Sequence, residues 1–227
     1  MHIAITGKES SIAALVAGLS SGVNITKIDA NHIPKSSLSH FDAVIDVDIE
    51  AHPSLLVHYA EQNGPLYFLG YCFTRLEELC LQAGITPHTG FIGMCNFPGM
   101  LDRKVLELSD PFGADRALAS EVVRYLGFDH PEWVHSRVGF VSPRIICMII
   151  NEAFYTVQEG TASREDVDQA MKLGTNYPKG PFEWCREAGI KSVYRLLHAM
   201  YEDTHEERYK ICPLLKTEFL RSAQEPD

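Results

Sequence analysis

The stretch from Gly139 to Glu183 constrains this chain more than any other. Ile145 to Val157 is a long apolar run that opens on Ser142-Pro143, a good N-cap followed by the residue favoured at the first helical position, and ends near Gly160. A mostly buried helix is predicted there. Ser163-Arg164-Glu165-Asp166 then has the form of a capping box, and Val167, Ala170 and Met171 follow at helical spacing until Gly174 stops the turn. That predicts a second helix. Tyr177-Pro-Lys-Gly-Pro-Phe-Glu183 places two prolines and a glycine in an ordered connection, and a third helical pattern runs from about Trp184 to Tyr201.

Asn151-Glu152-Ala153, the Asp166/Asp168 pair, Gly174 and the Tyr177–Glu183 run stand in an order and spacing that resemble the C-terminal domain of the 3-hydroxyacyl-CoA dehydrogenase family. The resemblance implies an all-helical dimerisation domain over residues 139–227, of the 6-phosphogluconate dehydrogenase C-terminal kind, that closes one side of a substrate cleft. It also implies a homodimer whose interface includes Tyr177–Glu183, with the Ile145–Phe154 surface mainly buried inside the subunit.

The first 138 residues read as an α/β domain. His2–Thr6 is a strand-like run entering a turn at Gly7, Ile12–Leu19 reads as a helix, and Val23–Ile28 is a second strand-like run ending at Asp29. Phe41–Val47, Pro53–Gln62 and Leu66–Leu69 continue the alternation as strand, helix and strand, and Asp115–Tyr125 is an amphipathic helix. An acidic residue about 20 positions beyond the glycine turn stands where a dinucleotide-binding Rossmann fold puts its ribose acceptor. Gly7 therefore has two readings, turn or nucleotide contact, and Asp29 likewise, strand-end turn or ribose acceptor. The family resemblance implies NAD as cofactor and a Gly-x-Gly-x-x-Gly fingerprint, whereas the chain has Gly7-Lys8-Glu9-Ser10-Ser11-Ile12. Glu9 would bring a negative charge to an anionic pyrophosphate. Ala30–His40 is too short for the helical insertion that the family carries there, which describes a trimmed domain.

Phe91-Ile-Gly-Met-Cys95-Asn-Phe-Pro…Lys104-Val-Leu-Glu107 resembles the family's segment Gly-Leu-His-Phe-Phe-Asn-Pro…Lys-Leu-Val-Glu. In active members the His takes the proton of the substrate's 3-hydroxyl and the Glu orients it. The resemblance places Cys95 at the His position, with Glu107 and Lys104 at the Glu and Lys positions. A thiol is a base only as thiolate, titrates near 8.5, and is held protonated by a carboxylate neighbour; the other reading of Cys95 is a small buried hydrophobe. A third, a nucleophilic Cys95, is opposed by Glu107 and only weakly favoured by Lys104. Cys72-Phe73-Thr74-Arg75-Leu76 falls on the family's Asn-Thr-Ser-Ser-Leu, so Thr74 either keeps a site hydroxyl or caps a loop. Pro143 stands at the family's substrate-holding Asn; Ser142 is read as an N-cap or as a substitute hydroxyl on the substrate side.

A formal charge of -10 argues against a general nucleic-acid or anionic-membrane binder and leaves room for a local basic pocket that takes a phosphorylated ligand. The six cysteines include no C-x-x-C pair and no apolar run reaches membrane-spanning length, which is expected of free thiols in a cytoplasmic protein. His88, His130, His135 and His198 show no metal-ligand spacing, and no metal is expected. Arg221–Asp227 reads as a disordered tail. Two functions follow: an NAD-dependent dehydrogenase acting on 3-hydroxyacyl-CoA, or a dimeric relative with a degenerate site that binds a small acyl-CoA or nucleotide without hydride transfer.

Overall fold

The computed structural model describes residues 1–29, 38–62 and 64–222. Most of the short Ala30–His40 segment, and the tail beyond Ser222, therefore lie outside the described residues. Two compact units divide the chain: Met1–Asn96 with Met100–Phe140, and Phe97–Gly99 with Val141–Asp227.

In the first unit seven strands, β1 (His2–Thr6), β2 (Asn24–Lys27), β3 (Ala43–Asp46), β4 (Leu66–Tyr71), β5 (Phe91–Cys95), β6 (Val105–Ser109) and β7 (His130–Val134), form one sheet in the order β2-β1-β3-β4-β5-β6-β7. All neighbours are parallel except β5 and β6. The central strands are buried on both faces, which is why β4 reads as an unbroken apolar run rather than an alternation. Four helices accompany the sheet: α1 (Glu9–Val16), α2 (Leu55–Ala60), α3 (Leu76–Gln82) and α4 (Arg116–Tyr125). Ile12 and Leu15 of α1 pack with Val122 and Val123 of α4 against Ile3, Ile5, Ile45 and Phe68 on one sheet face. Tyr59 of α2 stacks near Tyr67 of β4, ring centroids 5.0 Å apart.

Helix α1 begins at Glu9, three residues before the expected start, so Ile12 is a core side chain inside the helix. Gly7 permits this, because its φ of +113° turns the chain directly from β1 into the helix. A side chain there would also collide with Val47, its Cβ falling 2.7 Å from Cγ2.

The helical unit contains α5 (Ser142–Gln158), α6 (Arg164–Thr175), α7 (Pro181–Ala188), α8 (Ile190–Thr204) and α9 (Pro213–Ser222). Helix α5 buries Ile146, Cys147, Ile150, Asn151, Ala153 and Phe154, while Ile145 points outward and is 54% exposed. Four expectations are corrected. The N-cap is Val141 rather than Ser142: Gly139 and Phe140 both turn through positive φ, and Ile145 N–H already donates to Val141 O, so Ser142 is inside the helix and Pro143 in its first turn. Helix α6 runs through Gly174, a tolerable cost of about 1 kcal/mol, and Asn176 ends it in the left-handed region. The single helix from Trp184 to Tyr201 is two, broken at Gly189 with φ +79°. Arg221 and Ser222, assigned to a disordered tail, close α9.

The signature residues of this unit bond to one another. Ser163 Oγ accepts the Asp166 N–H at 3.1 Å, Asp168 Oδ1 accepts the Phe182 N–H at 2.7 Å, and Glu183 reaches back to the Gly180 N–H at 2.8 Å. Asn151 donates to Lys210 O and accepts from Cys212 N, both at 2.9 Å, tying α5 to the approach of α9. A Cβ at Gly180 would lie 2.3 Å from the Asp168 carboxyl carbon, so the glycine is required for this approach. The motif is architecture rather than chemistry.

Candidate active site

β1 and β3 are neighbours, and the chain leaves them toward opposite sides of the sheet, to β2 and to β4. In open α/β sheets such a switch point leaves a crevice at the carboxyl ends of the strands, the usual ligand position. A cavity of about 470 Å³ lies there, and Gly7 and Asp29 both line it, together with Thr6, Glu9, Lys27 and Asp48. The geometry thus brings together the two sequence-predicted nucleotide residues. It also shows what Glu9 does: in the first turn of α1, its carboxylate receives Lys27 Nζ at 2.8 and 3.2 Å. A helix start and a lysine that would serve a phosphate are already facing a protein carboxylate. The residues present do not fit a pyrophosphate well.

Two neighbouring side chains were not anticipated. Thr6 Oγ1 is buried without a hydrogen-bond partner among the described residues, at the cavity wall. Its register partner on β3 is Asp46, 1% exposed. Asp46 accepts from Tyr59 Oη at 3.0 Å and Asp48 N at 2.9 Å. Burial nevertheless pushes its pKa up to about 6, beyond what those two donors offset. A charged residue inside the apolar run FDAVIDV was the available signal.

The second cluster lies farther along the sheet. Antiparallel pairing joins Gly93 with Ser109 and Met94 with Leu108, and Cys95 and Glu107 are the next residues along their strands. By strand alternation the two lie on the sheet face opposite Met94 and Leu108. On its other side Cys95 is in register with Tyr71, and beyond Glu107 comes Glu132. Cys95 is 2% exposed. Tyr71 Oη shares hydrogen bonds with Ser109 Oγ at 2.8 Å and Ser136 Oγ at 3.2 Å, and Ser136 donates to Glu77. Burial holds the Tyr71 phenol well above its usual range, so it is a proton donor and not a base. Gly93 makes room for this ring, since a Cβ there would lie 2.5 Å from Tyr71 Cε1. This Tyr71–Ser136–Glu77 chain was missed because its members lie far apart in sequence and Tyr71 sits in an apolar strand.

The other candidates are placed as follows. Thr74 precedes α3 and donates its hydroxyl to Glu78 at 2.8 Å. The same loop is gripped by Glu50, whose carboxylate accepts the N–H groups of Cys72 and Phe73 at 2.9 and 2.7 Å. Lys104 is solvent-exposed, 3.9 Å from Asp129. Ser142 begins α5 in the helical unit, followed by the buried Pro143. Among the described residues no three His, Cys, Asp or Glu side chains are grouped to hold a metal ion.

Residues 139–223 match the family model of the 3-hydroxyacyl-CoA dehydrogenase C-terminal domain. Over 78 residues the chain is 45% identical to the 3-hydroxyadipyl-CoA dehydrogenase of Escherichia coli (strain K12), covering 34% of this chain and 16% of that protein. It is 36% identical over 132 residues to the mitochondrial hydroxyacyl-coenzyme A dehydrogenase of Homo sapiens, covering 57% of this chain and 42% of that one. The matches thus span less than half the length of these curated relatives. The solved (S)-3-hydroxybutyryl-CoA dehydrogenase of Ralstonia eutropha has the same fold, with a TM-score of 0.78 over 98% of this chain and 94% of that one at 22% identity. Residues 139–223 thus match the 3-hydroxyacyl-CoA dehydrogenase C-terminal domain, and the chain shares the fold of that solved dehydrogenase.

Proposed function

We propose that this chain is a 3-hydroxyacyl-CoA dehydrogenase family member with a degenerate site, weak or inactive in the NAD-dependent oxidation of 3-hydroxyacyl-CoA, and serves as a nucleotide- or acyl-CoA-binding or dimeric scaffold protein. Residues 1–138 are its ligand-binding domain and 139–227 its dimerising helical domain. The observation that carries the reading is the buried thiol of Cys95 on β5, next to the strand of Glu107, where the family resemblance puts an imidazole. Without a general base, proton removal from the substrate hydroxyl loses roughly a hundredfold to ten-thousandfold in rate. The Glu9–Lys27 pair supports weak pyrophosphate binding in the same sense. Six free, buried cysteines support a reducing, cytoplasmic setting.

An active NAD-dependent 3-hydroxyacyl-CoA dehydrogenase is the second reading. It is favoured by one observation, the meeting of Gly7 and Asp29 in a single cavity at the switch point. Titration calorimetry with NAD, NADP and CoA esters separates the two. The first reading expects Glu9→Gly to strengthen NAD binding by about tenfold, equivalent to 1.4 kcal/mol. NAD affinity that is unchanged in Glu9→Gly and equal to that of an active relative would support the second.

A further inference from the structure

In the helical unit, a cavity of about 390 Å³ is lined by residues of α5, α6, α7, α8 and α9. Its floor is apolar: Phe154 and Phe182 are nearly fully buried and meet edge to face with centroids 5.1 Å apart. The Arg164 guanidinium lies 5.4 and 5.2 Å from those two rings and is ion-paired with Glu218. That guanidinium is committed to holding the wall.

Two further guanidiniums line the same cavity, Arg186 in a long ion pair and Arg221 in none among the described residues. Arg186 is 70% exposed and stands 3.8 Å from Asp168, whose other oxygen is already taken by the Phe182 N–H. Arg221 has no carboxylate in ion-pair range among the described residues. With Glu218 as the one carboxylate among the described lining residues, that lining carries two net positive charges in a chain of formal charge -10. A positive concavity in an acidic protein concentrates anions. Guanidinium forks match a carboxylate, and the size suits a small molecule.

We propose that this cavity binds a small organic carboxylate, with its apolar body on Phe154 and Phe182 and its carboxylate between Arg186 and Arg221. Glu218 in the lining disfavours a second negative charge, so a monoanion is favoured over a dicarboxylate. The rings require an apolar body, so an inorganic anion is a poor ligand. The site lies within the helical unit and is independent of whether the dehydrogenase reaction survives.

The test is calorimetry on the full chain with octanoate as probe, and with octanol and inorganic phosphate as partners lacking the charge or the body. Octanoate is expected to bind at least about tenfold more tightly than either. The double variant Arg186→Ala/Arg221→Ala is expected to lose about tenfold of that affinity, and Arg221→Glu to lose it independently. Both arginines are solvent-facing, and circular dichroism checks that the variants keep their helices. The proposal is overturned by any of three results: no octanoate binding, octanol binding as tightly as octanoate, or unchanged octanoate affinity in the folded arginine variants.

Discussion

Asp46 shows how one side chain couples burial to pH. It is a carboxylate on a central strand, held by Tyr59 and by the Asp48 N–H, and its pKa is nonetheless raised to about 6 because water is excluded from it. The folded chain therefore holds this proton more tightly than the unfolded chain does. The associated stability is fully present below the ordinary carboxylate pKa of 3.8 and is lost as pH rises through about 6. Across that window the loss is up to about 3 kcal/mol, taking about 1.4 kcal/mol per unit. Asp46→Asn can keep both contacts and has no charge to bury. Denaturant unfolding at pH 4 and pH 7.5 is expected to show the wild type losing stability relative to Asp46→Asn as pH rises. A difference that does not change with pH would contradict the assignment.

At the scale of elements, the helical unit is held by side chains that satisfy helix ends. Asn151 serves the Cys212 N–H and the Lys210 carbonyl at once, so Asn151→Ala strands both and is expected to cost roughly 2–3 kcal/mol in urea unfolding. Gly180→Ala drives a methyl into the Asp168 carboxyl and is expected to cost about 1–3 kcal/mol or more. Wild-type stability in either variant would show that these contacts do not hold the unit. Much of this was legible beforehand, because Ser163-Arg-Glu-Asp166 and Gly180-Pro-Phe-Glu183 carry their bonding partners within three residues. What was not legible depended on partners far away. Asn151 meets Lys210 and Cys212 from about sixty positions off, and the break at Gly189 depends on a backbone turn that composition does not announce. In the sheet, the parallel strands β1 to β4 could be read from the succession of strand-like and helix-like runs. The antiparallel step from β5 to β6 could not.

For the whole molecule, two separate units carry separate parts of the reading. Val141, Ile145, Leu173 and Leu220 are large apolar side chains left exposed on the helical unit, which supports its proposed role in dimerisation. Sedimentation at micromolar concentration is expected to give a dimer, and Ile145→Asp with Leu173→Asp to shift it toward monomer; a wild-type monomer would contradict this role. The sequence places Gly7 and Asp29 plausibly, and the fold brings them to one cavity. Thr74 and Lys104 are instead committed to Glu78 and to the solvent-exposed neighbourhood of Asp129. The central claim is that the family fold is kept while the proton-transfer pair is not. It is tested most directly by acetoacetyl-CoA-dependent oxidation of NADH, from neutral to alkaline pH, beside an active relative. The account predicts wild-type turnover at least about a hundredfold below the relative, rising in Cys95→His with Pro143→Asn. Wild-type turnover equal to the relative's, with no gain from those restorations, would contradict it.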